Sequence, residues 1–338
     1  MPQNLYRCLF IPIHKFINHD LGFRSVNGSM FDFLPADVMP RPILRDTTPP
    51  SLPQSPEFLR ALRATGQAPL LLENLGHTVV TRRRLPGGFP LAMVNRAPIK
   101  KPLRLLEILQ EQGLGRTPVI LSPEQPTPEL ARHGAIPLVS PAHVAKWDLT
   151  QNRDALRAGL HQKWRNRLKH AEAQNLRVTR QNMPADPGHW LLQADLRQQQ
   201  TQGYRSWPLP LTLAFAQENP GKAKLFQAFE GKEAIAALLI LRHGGAATYH
   251  ISHSTARGKA RSAHNLLMWQ AACWLQDKDC QHLDLGLINT EEAAGLARFK
   301  LGTGAQLSAL GGTWLHWPPV TPLFAPLARF DLRKMLPA

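Results

Sequence analysis

Cysteine and acidic residues are both scarce in this 338-residue chain, and each shortage excludes something. Cys8, Cys273 and Cys280 are odd in number and lack a CxxC spacing, so neither a disulfide framework nor a zinc cluster is expected, and a reducing cytoplasm is the simplest compartment. No stretch reaches the roughly 18–20 apolar residues of a membrane span. The nearest, Leu9 to Ile17, is broken by Pro12, His14 and Lys15, and no small-x-small cleavage site follows it where a signal peptide needs one. GxSxG, HExxH and a Walker loop are missing too, and no second pair of closely spaced carboxylates suggests glycosidase work, which removes the common hydrolase, zinc-protease, P-loop and glycosidase readings.

With 24 Asp and Glu against 40 Lys and Arg, the chain carries +16 and a pI near 10.4. Such a surface attracts polyanions: nucleic acid, anionic lipid, or a phosphorylated substrate or cofactor. The apolar share of 43% and the length are those of a chain that folds around its own core as one large or two modest domains.

Proline placement shows the organisation, because helix interiors and central strands tolerate it poorly. Residues 142–183 and 221–317 contain none, and those intervals are expected to hold the longest helix and the principal sheet. Residues 1–50 show no clean period and read as a poorly structured extension. Met30 and Met39 precede the first convincing element, so the true start is open to lie downstream of Met1. That element is a helix over 55–66, with Ser55 as N-cap, Pro56 at the first helical position and Gly66 as the stop. Strands at 70–74 and 78–82, a helix over 101–112 and a strand at 118–121 follow, giving alternation typical of an α/β or α+β layer.

Residues 153–174 form the clearest helix: Leu156, Leu160, Trp164 and Leu168 recur every four residues, and Arg157, Lys163, Arg165, Arg167 and Lys169 fill the other faces. Residues 153–180 carry a net +6, a landing surface for phosphates or else a solvated helix face. Five strand-like runs come after Pro220, at 223–229, 234–241, 246–253, 282–288 and 306–314, with an apolar helix over 263–276 between the third and fourth. Gly244-Gly245 marks a hairpin. The turn Ala256-Arg257-Gly258-Lys259-Ala260-Arg261-Ser262-Ala263 therefore sits between a strand and a helix N-terminus, where free N–H groups and small residues admit an anion.

Hairpin, strand, an Arg257-x-x-Ala260-x-Ser262 turn, helix, strand: this order resembles the GNAT superfamily of N-acyltransferases, whose members bind the donor's pyrophosphate at that turn. Leu283-Asp-Leu-Gly286, then Gly295-Leu-Ala-Arg-Phe-Lys300 with Gly302 and Gly304, resembles the FemAB-like branch, as does the basic helix with Trp164-Arg-Asn-Arg-Leu-Lys169 and the strand after it. Ala and Ser stand where the turn's usual glycines would be. The resemblance covers about 50–316. It implies two GNAT-like lobes, each a mixed, mostly antiparallel sheet flanked by helices, an N-terminal one at 51–150 and a C-terminal acyltransferase lobe at 151–318, with a tail at 319–338.

The same resemblance implies that residues 257–263 bind the donor's phosphates and that Lys300, positioned by Phe299, holds the developing oxyanion. Asp284, His250, His253 and Tyr249 are the candidate bases for a direct amine attack that needs no covalent enzyme intermediate. His250 and His253 fall on opposite faces of a regular strand, which argues against a shared metal site unless a bulge intervenes. The bulge that exposes an N–H to the donor carbonyl is expected near Ser252–Ser254. Trp207 lies on a loop that can face an acceptor.

The reading that follows is an N-acyltransferase moving an acetyl-like group from acyl-CoA, its co-substrate, to the amine of an unidentified acceptor, without a metal. Two alternatives keep the fold. One is an aminoacyl-tRNA-dependent transferase of the peptidoglycan-bridge type, with tRNA on the 153–180 surface; the other is a non-catalytic polyanion-binding module.

Overall fold

The computed structural model describes residues 49–204 and 206–323, together with Met335; the expected extension over 1–48 and most of the expected tail lie outside the described residues. In chain order the elements are α1 (Pro56–Ala64), β1 (Leu70–Leu72), β2 (Thr78–Arg84), β3 (Pro90–Ala97), α2 (Pro102–Leu109), β4 (Val119–Pro123), α3 (Glu129–Arg132), β5 (Ile136–Val139) and β6 (His143–Asp148). After these come α4 (Arg153–Ala158), α5 (Gln162–Glu172), β7 (Arg177–Asn182), α6 (Trp190–Gln202), α7 (Leu209–Glu218), β8 (Ala223–Glu230), β9 (Glu233–His243) and β10 (Ala246–Ser254). The chain closes with α8 (Ala256–Ala260), α9 (Ala263–Gln276), β11 (His282–Leu287), α10 (Ala294–Leu301), β12 (Gln306–Ala309) and β13 (Thr313–His316).

Two mixed sheets result. One runs β1-β2-β3-β4-β13-β5 and the other β12-β6-β11-β10-β9-β8-β7. Only β3–β4 and β10–β11 pair in parallel among the described strands, so both sheets are mostly antiparallel, as expected. The sheets do not divide at residue 150. β6 belongs to the second sheet, between β11 and β12, and β13 returns to the first, between β4 and β5. The expected strand at 306–314 is therefore two strands in two sheets, separated at Gly311 and Gly312. The lobes also share a core, in which Phe58, Leu62 and Val79 pack with Leu191, Phe215, Leu239 and Ile251.

The proline-free intervals hold what their composition requires. The helix expected over 153–174 is two helices, because the chain turns at Gly159, whose carbonyl lies against Gly304. Its stripe survives the break: Leu156, Leu160, Trp164 and Leu168 are all buried against α9 and the second sheet. α9 matches its expected bounds, and its Leu267, Met268 and Ala271 are fully buried. Strand β3 and helices α6 and α7 carry no clean period and are visible only in the structure.

Candidate active site

β10 and β11 run side by side only through Ala246–Thr248 and His282–Asp284, and then part. Beyond that point each strand has an edge whose backbone groups have no strand partner across the gap. The gap is a slot between the parting strands, with α9 starting at one side and α10 at the other. An extended ligand carrying amides pairs with such edges as a strand would.

β10 bulges at the start of the slot. Tyr249 pairs with Ile240 and Ile251 with Leu239, leaving His250 as the extra residue. The bulge thus falls at His250 and not near Ser252–Ser254 as expected. It also undoes the alternation that separates His250 from His253: the His250 ring meets Trp207 at 4.8 Å, the His253 ring meets Trp190 at 6.1 Å, and both face the α6–α7 side. His250 Nε2 shares a 3.0 Å hydrogen bond with Thr212 Oγ1, and burial pushes its pKa down to about 4, so the imidazole is neutral at physiological pH. Trp207 also stacks on Phe58 at 4.9 Å, so it is packed into the lobe interface as well as being on a loop.

Tyr249, one residue before the bulge, faces the other way. Its hydroxyl bonds to Ser252 Oγ and, at 3.1 Å, to His264 Nε2. The His264 ring lies 5.0 Å from Phe299, which lies 5.9 Å from Trp164. Burial holds His264 near 4 and pushes Tyr249 up to about 12. Sequence reasoning named Tyr249 and Phe299 but missed His264; its only signal was a place in the first turn of the helix after the phosphate turn.

Lys300 is 6% exposed, and its Nζ donates to Leu287 O at 2.8 Å. Burial pulls its pKa down to about 8, against the upward pull of the Asp284 charge. An ammonium has three N–H donors, so two remain for a ligand. Gly286, at φ +79, lies beside it: a Cβ there would sit 3.7 Å from Nζ, in ordinary contact, so the left-handed backbone and not space calls for glycine.

Asp284 is not placed to act as the base. Its Oδ1 accepts from Gly286 N at 2.7 Å, and its Oδ2 takes Arg96 Nη1 at 2.7 Å. Burial alone would raise its pKa, but Arg96, the Gly286 N–H and Lys146 outweigh that and hold it below the usual carboxylate range. Both oxygens are engaged and the lowered pKa makes the carboxylate a weak base, so it is poorly suited to take the amine's proton.

The expected phosphate turn is also different in form. Residues 256–260 are the short helix α8, whose N-cap Thr255 accepts from Gly258 N with its hydroxyl. Gly258 serves packing: a Cβ would stand 2.2 Å from Ile235 O, so only glycine lets α8 lie on β9. Arg257 pairs with Glu233 at 2.8 Å, and Arg261 with Glu230 at 2.8 Å and Gln174 at 2.8 Å. Lys259 and Ala260 are exposed, while Ser262, at φ +53, and the buried Ala263 turn the chain into α9. By general helix geometry the first N–H groups of α9 lack intrahelical partners. Among the described residues no group of three or more His, Cys, Asp or Glu is placed to hold a metal, and no helix is long and apolar enough to cross a membrane.

Parallel strands that part beside a bulge, with a buried lysine next to them, form the candidate site of a two-lobed mixed α/β architecture. Residues 158–305 match the family model described as an acetyltransferase (GNAT) domain. Among solved structures it is similar to that of FemX, at 12% identity and a TM-score of 0.66, covering 82% of this chain and 95% of that one. It is also similar to a conserved protein of unknown function from Bacteroides thetaiotaomicron VPI-5482, at 11% identity and a TM-score of 0.52, covering 78% of this chain and 90% of that one. These likenesses give the fold, which is like that of FemX. No curated protein matches by sequence.

Proposed function

We propose that the chain is an N-acyltransferase in which an amine attacks an acyl thioester lodged between β10 and β11, with acyl-CoA as the donor. The observation that carries this reading is the pairing of two open strand edges with the buried Lys300 beside them. The amide-bearing arm of an acyl-CoA is an extended chain of the kind those edges accept.

In the proposed step the amine nitrogen forms a bond to the acyl carbon, and the carbonyl π pair moves onto oxygen. Collapse of that tetrahedral oxyanion reforms the carbonyl and breaks the C–S bond, and the amine proton passes to a base while the thiolate leaves. Lys300 supplies N–H donors to the oxyanion, with Phe299 packed beside it; fixed donors of this kind contribute several kcal/mol in a water-poor site. His250 is a neutral imidazole on the α6–α7 side of the bulge and can accept the proton of an amine arriving there. The Tyr249–His264 pair is the corresponding proton-carrying group on the α9 side.

A second reading is favoured by a specific observation. Arg257 and Arg261 are held in ion pairs, whereas Lys163, Arg165, Arg167 and Lys169 on α5 have no ion-pair partner among the described residues. That distribution suits an aminoacyl-tRNA donor, whose many phosphates bind an extended basic face.

Thermal-shift measurements with acetyl-CoA, a longer acyl-CoA and charged tRNA, each at low and moderate salt, separate the two. Stabilisation by an acyl-CoA that survives salt supports the first reading. Stabilisation by charged tRNA alone, lost as salt rises, replaces it with the second, and no response to any donor overturns both.

A further inference from the structure

We propose that Arg96, on the first sheet, is a positioning residue for Lys300, acting through Asp284 and the Gly286 turn. The inference rests on the role given to Lys300 above. It adds that a residue of the N-terminal sheet sets the charge environment of the group that does the work there.

The contacts form one chain across the two sheets. Arg96 Nε and Nη2 bind Glu124 as a fork at 2.7 and 2.9 Å, its Nη1 holds Asp284 Oδ2 at 2.7 Å, and Lys146 on β6 reaches Glu124 Oε1 at 2.7 Å. Asp284 Oδ1 then fixes Gly286 N, in the stretch where the β11–β6 register is interrupted between Asp284 and Leu287. Leu287, one residue further, presents the carbonyl that Lys300 Nζ binds.

Arg96 itself sits at φ +50, a conformation that a side chain with a Cβ rarely adopts. It is held there by Ser51 Oγ donating to its carbonyl and by Glu124 N donating to Ala97 O. The strain turns the guanidinium into the interface between the sheets, where it faces both carboxylates.

Charge counting gives the arrangement its purpose. Arg96 and Lys146 match Glu124 and Asp284, so Lys300 is the surplus cation. Asp284 is the carboxylate acting on Lys300; His243, His282 and His143 lie on the strands around the network, and Glu291 and Glu292 precede α10 on an exposed loop. A buried carboxylate between two cations will pair with whichever is offered in better geometry. Arg96 wins that contest because its fork on Glu124 fixes the guanidinium with Nη1 aimed at Asp284 Oδ2, which leaves the Lys300 N–H groups to a developing oxyanion.

The coupling is read directly from the Lys300 Cε resonance in protein labelled with 13C-lysine, assigned by its loss in Lys300→Met and titrated from pH 6 to 11. Arg96→Met releases Asp284 toward Lys300, and the Lys300 titration moves up by about one pH unit. Asp284→Asn removes the attracting charge, and the titration moves down. Kcat falls at least tenfold in Arg96→Met with donor KM changed less than threefold, and Arg96→Lys, which keeps the charge but loses the fork, recovers part of it. Lobe-gluing alone predicts lower melting temperatures with the Lys300 titration unmoved in all three variants, and that result overturns the proposal. If Arg96→Met does not fold, Asp284→Asn and Arg96→Lys carry the same test. Opposite shifts in a protein that transfers no acyl group from any donor support the coupling and overturn the function proposed for the site.

Discussion

Lys300 Nζ on α10 donates to the carbonyl of Leu287 at the end of β11, 2.8 Å away, and this bond holds a nearly buried ammonium beside the slot between the parting strands. Among the described residues no carboxylate pairs with it, because Asp284 is engaged by Arg96. A lysine kept in this state is poorly placed for stability and well placed for binding negative charge.

Removing the amine therefore has two opposite effects. Lys300→Met is expected to lower acyl transfer at least a hundredfold while raising thermal stability by several degrees at pH 7. A pKa of about 8 in the fold, against 10.5 in the open chain, means that folding opposes protonation. The penalty is on the order of 3 kcal/mol below pH 8 and fades as pH rises toward 10.5. Melting curves of the two proteins at pH 7 and pH 10 check the sign: the stability gap closes at the higher pH.

The pH–rate profile should contain no histidine-like inflection between about 5.5 and 7. His250 and His264 are held near 4 by burial, so both are already neutral in that range. After correction for the acceptor amine's own titration, the remaining feature is a fall near pH 8 as Lys300 loses its proton, and that fall should be missing from the residual activity of Lys300→Met. An inflection near 6.5 in the wild type contradicts the assignment of both imidazoles.

Gly258→Ala places a methyl group 2.2 Å from the Ile235 carbonyl, so α8 must move off β9. A loss of about 2 kcal/mol or more is expected from the midpoint of urea unfolding. The neighbouring Ala260→Gly, at an exposed position, should cost only about 1 kcal/mol or less.

Glu230 and Glu233 occupy the arginines that would meet a donor's phosphates. Glu230→Gln frees Arg261 and one contact of Arg257. Because these pairs are exposed and weak, the gain is modest: a several-fold tightening of acyl-CoA binding by calorimetry at low salt. An unchanged affinity shows that the turn does not hold the phosphates.

Much of the second sheet was legible because periodicity survives in sequence. The bounds of α9, the buried face of α4 and α5, the Gly244-Gly245 hairpin and the strand order around the slot each follow from local patterns that packing did not override. β3, α6 and α7 were not legible, since their apolar residues follow no single stripe in the sequence.

The site divided along the same line. Phe299 and Lys300 stand where the Gly-Leu-x-x-Phe-Lys block puts them, next to each other on one helix, because neighbours in sequence on a short helix stay neighbours in space. His264 entered the cluster only through a ring contact with Phe299 across the slot, and Asp284 left the set of bases only because Arg96, 188 residues earlier, takes its second oxygen.

The sequence by itself determined the composition-driven charge, the helices and strands with a clean period, and the resemblance that singled out the 257–263 turn and Lys300. Tertiary structure alone decided that β6 and β13 exchange places between the sheets, that the bulge falls at His250, and that Arg257 and Arg261 are occupied. The reason is physical. Period and propensity act over one or two turns of chain, whereas strand exchange, bulge position and ion pairing depend on which distant groups reach each other once the apolar faces have closed.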